Sequence, residues 1–144
     1  MYDLEARVIE YLKANVAITA LCSDVKSEKL PITVVDKSIT VKVDPEVSNA
    51  ALASEISTLT VKVWINTRSP ITSQPVKALK DLAGQVIIAL NKIGPSLSKA
   101  TGGYDLTIYS CRKLGRTDDL SDEEQLWTST IVFEVVKNES EPTY

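Results

Sequence analysis

Five carboxylates crowd one short stretch of this chain: Asp118, Asp119, Asp122, Glu123 and Glu124. Carboxylates so close together suit two kinds of chemistry. They ligate a hard divalent cation, or they divide into an acid and a base. The spacing fits neither well. A calcium loop needs carboxylates at alternate positions and a glycine at the sixth, and both are missing. A catalytic pair needs a pocket that drives the two pKa values apart, and these residues sit in a polar stretch. The cluster reads first as a solvated or partner-facing turn. The chain also has no histidine. That removes the commonest general base, the commonest zinc ligand and the usual third member of a Ser or Cys triad. Lys99, Thr101, Gly102 and Gly103 have the composition of a phosphate loop but not its spacing. Asn138–Ser140 is a formal glycosylation triplet with no signal peptide before it.

Two other groups suit binding rather than catalysis. Arg112, Lys113 and Arg116 stand just ahead of the acids. They read as a charged β-turn with individually weak local ion pairs, or as part of a repeated subunit contact, basic side of one copy to acidic side of the next. Such pairs supply register more than affinity. Trp64 falls out of phase with the apolar residues of its own segment, which places it outside the core with Lys62. A tryptophan there is either half covered by a neighbouring loop or an interface anchor, since such residues are enriched at hot spots. Trp127 shares a face with Ile131 and Phe133 and reads as core.

The elements that must position these residues follow from periodicity. Asp3 caps a helix carrying Leu4, Val8, Tyr11 and Leu12 at helical spacing, stopped by Asn15, and Val16–Leu21 suits a second helical piece. Ile32–Val35 and Ile39–Val43 are β-branched and read as a hairpin or one irregular strand. Asp44–Glu55 has little strand character and reads as an exposed loop or a short helix near Ala50–Glu55. In Ile56–Asn66, Leu59, Val61, Val63 and Ile65 alternate with Thr60, Lys62, Trp64 and Asn66, the mark of a sheet with one covered face. Ser73 and Pro75 open a helix whose stripe is Val76, Leu79, Leu82, Ala83, Val86, Ile87, Leu90 and Ile93, ended by Gly94 and Pro95. Asp105–Cys111 and Leu126–Lys137 alternate as two strands, and Arg112–Gln125 between them reads as a charged turn.

The order predicts an α+β fold: a mostly antiparallel sheet of about four strands, two helices packed on one face, and an extended loop or hairpin. Residues 1–137 form one domain and 138–144 a polar tail. The length of 144 residues suits a single core. A net charge of −3 argues against binding nucleic acid by general charge, and no sequence-specific binding is expected. The apolar runs fall far short of the roughly 20 residues of a membrane span, so no membrane partner is expected. Cys22 and Cys111 read as small buried hydrophobes in a reducing compartment.

The C-terminal third resembles the tail terminator, or tail completion, proteins of long-tailed bacteriophages. The resemblance rests on Arg116, Thr117, Asp118 and Asp119, followed by Leu126, Trp127, Thr128 and Ser129. Element order supports it: an amphipathic N-terminal helix, the segment Leu30–Val34 opened by Pro31, the strand TLTVKVWIN, and a long apolar-striped helix. It implies a structural virion protein and not an enzyme. It implies a homo-oligomer, a six-fold (hexameric) ring that caps the tail tube, ends elongation and offers the head-tail joining surface. The implied partners are the tail tube protein and the head-completion protein, with no cofactor. The implied place is the tail of the virion at the head-tail junction, after assembly in the host bacterial cytoplasm. A ring closes through two different patches per subunit. Candidates are Lys62, Trp64, the Asp44–Glu55 segment, and Arg112 to Glu124. On this reading, reversing Asp118 and Asp119 to lysine abolishes the ring and leaves the monomer's melting temperature nearly unchanged. The other readings are a head-completion or neck protein, a non-viral cytoplasmic α+β binding module, and an enzyme built on the acidic cluster.

Overall fold

The computed structural model describes residues 4–22, 24–27, 37–49, 54–66, 75–91, 98–100, 105–121 and 126–139. Helix α1 is Leu4–Ala14 and buries Leu4, Val8 and Leu12, one residue per turn along a single stripe. Asn15 breaks it and caps the next piece. Its side-chain oxygen accepts the Ile18 amide at 3.2 Å, opening the one-turn helix α2, Val16–Thr19. Helix α3, Pro75–Leu90, turns Leu79, Leu82, Ala83, Val86 and Leu90 into the core.

The strands are β1 (Val25–Ser27), β2 (Lys37–Asn49), β3 (Ser54–Asn66), β4 (Lys99–Ala100), β5 (Asp105–Ser121) and β6 (Leu126–Glu139). They form one six-stranded sheet in the order β1-β2-β3-β6-β5-β4. Every pairing is antiparallel except the short parallel contact of β1 with β2. The α+β architecture and its mostly antiparallel sheet agree with the sequence. The strand count is higher than the four expected, because β1 and β4 are too short to show a period.

Two expected loops are strand. Asp44–Asn49 continues β2 and pairs with Ser54–Thr58 of β3, past an irregularity between Pro45 and Val47. Arg112–Ser121 continues β5 and pairs with β6 from Glu134 to Leu126. Neither shows an apolar period of its own; pairing with the neighbouring strand's backbone holds them extended. The expected caps Asp3 and Ser73, the stop at Gly94 and Pro95, and the segment Ile32–Val35 lie outside the described residues.

One face of the sheet carries the core. Ile39, Val41, Leu59, Val61, Val63, Ile65, Ile108, Cys111, Ile131, Phe133 and Val135 are all buried there. Helix α1 lies against β1 and β2, and α3 against β3, β6 and β5. Trp127 is half-buried and packs against this cluster. The opposite face holds no helix among the described residues. Strand β6 runs on through Asn138 and Glu139, paired with Thr107 and Leu106.

Candidate interaction surface

Register assigns each candidate residue a face, since directly paired residues share one. On the face opposite the helices, Ser38, Trp64, Thr128 and Asp119 form one row across β2, β3, β6 and β5; it is buried at Ser38 and exposed at Asp119. The next row is Thr40, Lys62, Thr130 and Thr117. Further along lie Asp44, Thr58, Glu134 and Arg112. The fold therefore brings Lys62, Trp64, Arg112 and Asp119 onto one face, from separate segments. The Trp64 indole donates to the Thr40 hydroxyl at 3.1 Å. The Lys62 ammonium stands 5.8 Å from the centre of the Trp64 ring, a distance at which the ring quadrupole attracts a cation. Trp64 is thus half-covered by its own neighbours, and still reaches solvent. Arg112 and Glu134 form an exposed ion pair at 3.1 Å.

Lys113, Arg116 and Asp118 fall on the other face. They pair with Phe133, Ile131 and Ser129, the phase of the core. The Arg116 guanidinium grips Asp118 through Nε at 2.9 Å and a second nitrogen at 3.2 Å. The buried Ser129 hydroxyl donates to the same carboxylate at 2.7 Å. Partial burial alone would raise the Asp118 pKa. The hydrogen bonds from Arg116 and Ser129, and the positive charges of Arg116 and Lys80, outweigh it and hold the carboxyl below its ordinary value. Asp118 is therefore a fixed part of the fold. Asp122, Glu123 and Glu124 lie outside the described residues.

The face assignment depends on two irregularities in β5. Register shifts between Ile108 and Ser110, and again between Lys113 and Gly115. The extra residues are Tyr109 and Leu114, 55% and 53% exposed. Gly115 is a sequence sign of the second bulge, since an isolated glycine in a strand often marks one, but nothing marks the first at Tyr109. The Ser129 contact with Asp118, eleven positions apart, is equally silent.

One edge of β5 is also only partly used. Strand β4 pairs with Asp105 and Leu106 alone. The Ile108 amide donates to the Ser98 hydroxyl at 2.9 Å, and the Lys113 amide to Asn91 Oδ1 at 3.0 Å. Side chains thus stopper the edge up to Lys113.

Among the described residues, no three acidic or sulfur side chains converge as metal ligands, and no helix is long and apolar enough to cross a membrane. Cys22 and Cys111 are buried free thiols. Burial pushes Cys111 up to about 12, so the thiolate needed for nucleophilic attack is suppressed.

A structural comparison bears on this arrangement. A chain of the native gene transfer agent (GTA) virion particle superposes with a TM-score of 0.72. The fold is shared with a virion chain. The match covers 95% of this chain and 95% of that one, at 18% sequence identity. No family model matches the sequence, and no curated protein does.

Proposed function

We propose that this chain is a structural component of a phage-like virion, and that it forms the ring that caps a tail tube, ends its elongation and offers the head-joining surface. The observation that carries the reading is the fold, shared end to end with a virion chain. The uncovered sheet face supports it. Among the described residues that face presents polar and aromatic side chains in rows, which suits contact with another protein surface. A closed ring needs two different complementary patches per subunit. Lys62, Trp64, Arg112 and Asp119 supply one. The paired ends of β2 and β3, Asp44–Asn49 with Ser54–Thr58, supply the second.

The test is assembly at tube ends. Tail tubes of the parent particle are mixed with the purified chain and imaged by negative stain. A six-fold ring at the tube end, with elongation halted, is the expected result. Bare ends and continued growth at saturating protein would overturn it. Attachment to the head connector instead would assign the chain to head completion. Arg112→Glu with Asp119→Lys is the appropriate interface variant, since both residues are exposed. Asp118 is unsuitable. Its contacts with Arg116 and Ser129 mean that reversing it destabilises the monomer, contrary to the expectation from sequence.

A further inference from the structure

From Gly115 to Ser121 the outer edge of β5 carries no neighbour among the described residues. Which groups point outward follows from the ladder. The Lys113 amide is bonded to Asn91, so it faces away from β6. Lys113, Arg116, Asp118 and Leu120 pair with Phe133, Ile131, Ser129 and Trp127, every second residue of β6. Alternation then gives Arg116, Asp118 and Leu120 outward-facing N–H and C=O groups. An unpaired row of this kind is a template for another strand. Among the described residues strand β2 also has an edge without a neighbour beyond β1, but Pro45 and a bulge interrupt it, devices that block strand addition. Strand β5 has no proline in this stretch.

We propose that the free edge of β5 pairs antiparallel with the same edge of a second copy, about a two-fold axis at Thr117. The charges are self-complementary about that point. Arg116 of each copy stands opposite Asp118 of the other, and Gly115 stands opposite Asp119. The backbone parity agrees. Arg116 and Asp118 are the outward-bonding positions, so each cross-copy pair exchanges both hydrogen bonds, and Thr117 meets its own copy in the close, non-bonded position. The side-chain pair that already joins Arg116 to Asp118 within one chain becomes a four-charge array. Head-to-tail addition to β2 lacks this match. Strand β4 does not obstruct the contact, because it lies level with Asp105 and Leu106, beyond the end of the partner's β5. The contact is isologous and independent of the ring reading: it predicts a dimer of the free protein, whether or not rings form on tubes.

Sedimentation equilibrium of the free chain tests it, together with Thr117→Cys. The wild type is expected at twice the chain mass, and Arg116→Glu, which sets two acids opposite two acids, at the monomer mass with its melting transition still cooperative. Thr117→Cys is expected to oxidise to a covalent dimer. The close pair puts its Cα atoms about 4.5 Å apart, within the span of a disulfide, and both native cysteines are buried. Thr107→Cys, also exposed on β5 but far from the axis, is expected to remain monomeric in non-reducing gels. A wild-type chain that sediments as a monomer up to its solubility limit overturns the proposal. So does a dimer in which Thr117→Cys fails to cross-link, or a six-fold free species with the same failure. The last result would leave the ring reading standing.

Discussion

Ser129→Ala isolates the bond that ties β6 to the charged end of β5. Ser129 is fully buried, and its hydroxyl donates to Asp118 at 2.7 Å. A hydrogen bond to a charged group contributes about 1.5–3 kcal/mol. Alanine keeps the strand and leaves Asp118 its two bonds from Arg116. The Asp118 side chain is also 28% exposed, so water replaces part of the loss. The lower end applies, about 1–1.5 kcal/mol, or roughly 3–5 °C in Tm for a chain of this size. The effect should depend on pH. The folded state holds the Asp118 pKa below its ordinary value of 3.8. Its contribution is therefore fully present above the unfolded value and lost as pH falls through the folded one. Urea unfolding at pH 7 should show the full difference between variant and wild type. At acid pH, once the carboxyl is protonated in the folded state too, the gap should narrow to that of a neutral hydrogen bond, about 0.5–1 kcal/mol. Carbon-detected NMR titration of the Asp118 carboxyl should show its pKa rising in the variant. An equal destabilisation at both pH values, or an unmoved carboxyl titration, would refute the assignment of a charge-assisted bond.

Phe133→Ala empties the largest fully buried side chain of the core and should cost about 3–5 kcal/mol by chemical denaturation; a loss under about 1 kcal/mol would show the site is not packed as described. Cys111, its thiol pushed up to about 12, should resist Ellman's reagent at pH 8 in the native state and react on unfolding; rapid native labelling of this residue would contradict its burial. Trp64→Phe removes the indole donor to Thr40 and should cost about 0.5–1.5 kcal/mol, while Lys62→Met should change the fluorescence of the remaining wild-type Trp64 far more than that of Trp127. An unchanged Trp64 signal there would discount the ammonium over its ring.

The legible parts of this fold are those where one face is buried and the other wet. The alternation of Leu59, Val61, Val63 and Ile65, all with zero exposure, defines β3 directly. The stripe from Leu79 to Leu90 defines α3 in the same way. Arg112–Ser121 is opaque because its strand character comes from β6 and from no side-chain pattern of its own. Asp44–Asn49 is opaque for the same reason. Lys137 shows the converse: it occupies the core phase of β6 and is only 6% exposed, where composition alone would place it in water. Among the candidate interface residues, sequence phase correctly puts Trp64 and Lys62 on the wet face of β3. It cannot separate Arg112 and Asp119 from Lys113, Arg116 and Asp118, because that separation depends on Tyr109 and Leu114.

Those two bulges act as phase shifters. Between Ile108 and Cys111 the first moves the inward-facing set from even-numbered to odd-numbered residues, and the second, past Lys113, moves it back to Arg116 and Asp118. Each alone would invert everything beyond it. Together they cancel. Deleting Leu114 would remove the extra residue and leave Gly115 opposite Val132 and Arg116 opposite Ile131, so the charged end would keep its present faces. Deleting Tyr109 would likewise leave Ser110 and Cys111 as they are. Deleting a regularly paired residue such as Thr117 would instead invert every position beyond it. Single deletions in this strand should therefore be tolerated at the two bulges and not at regularly paired positions.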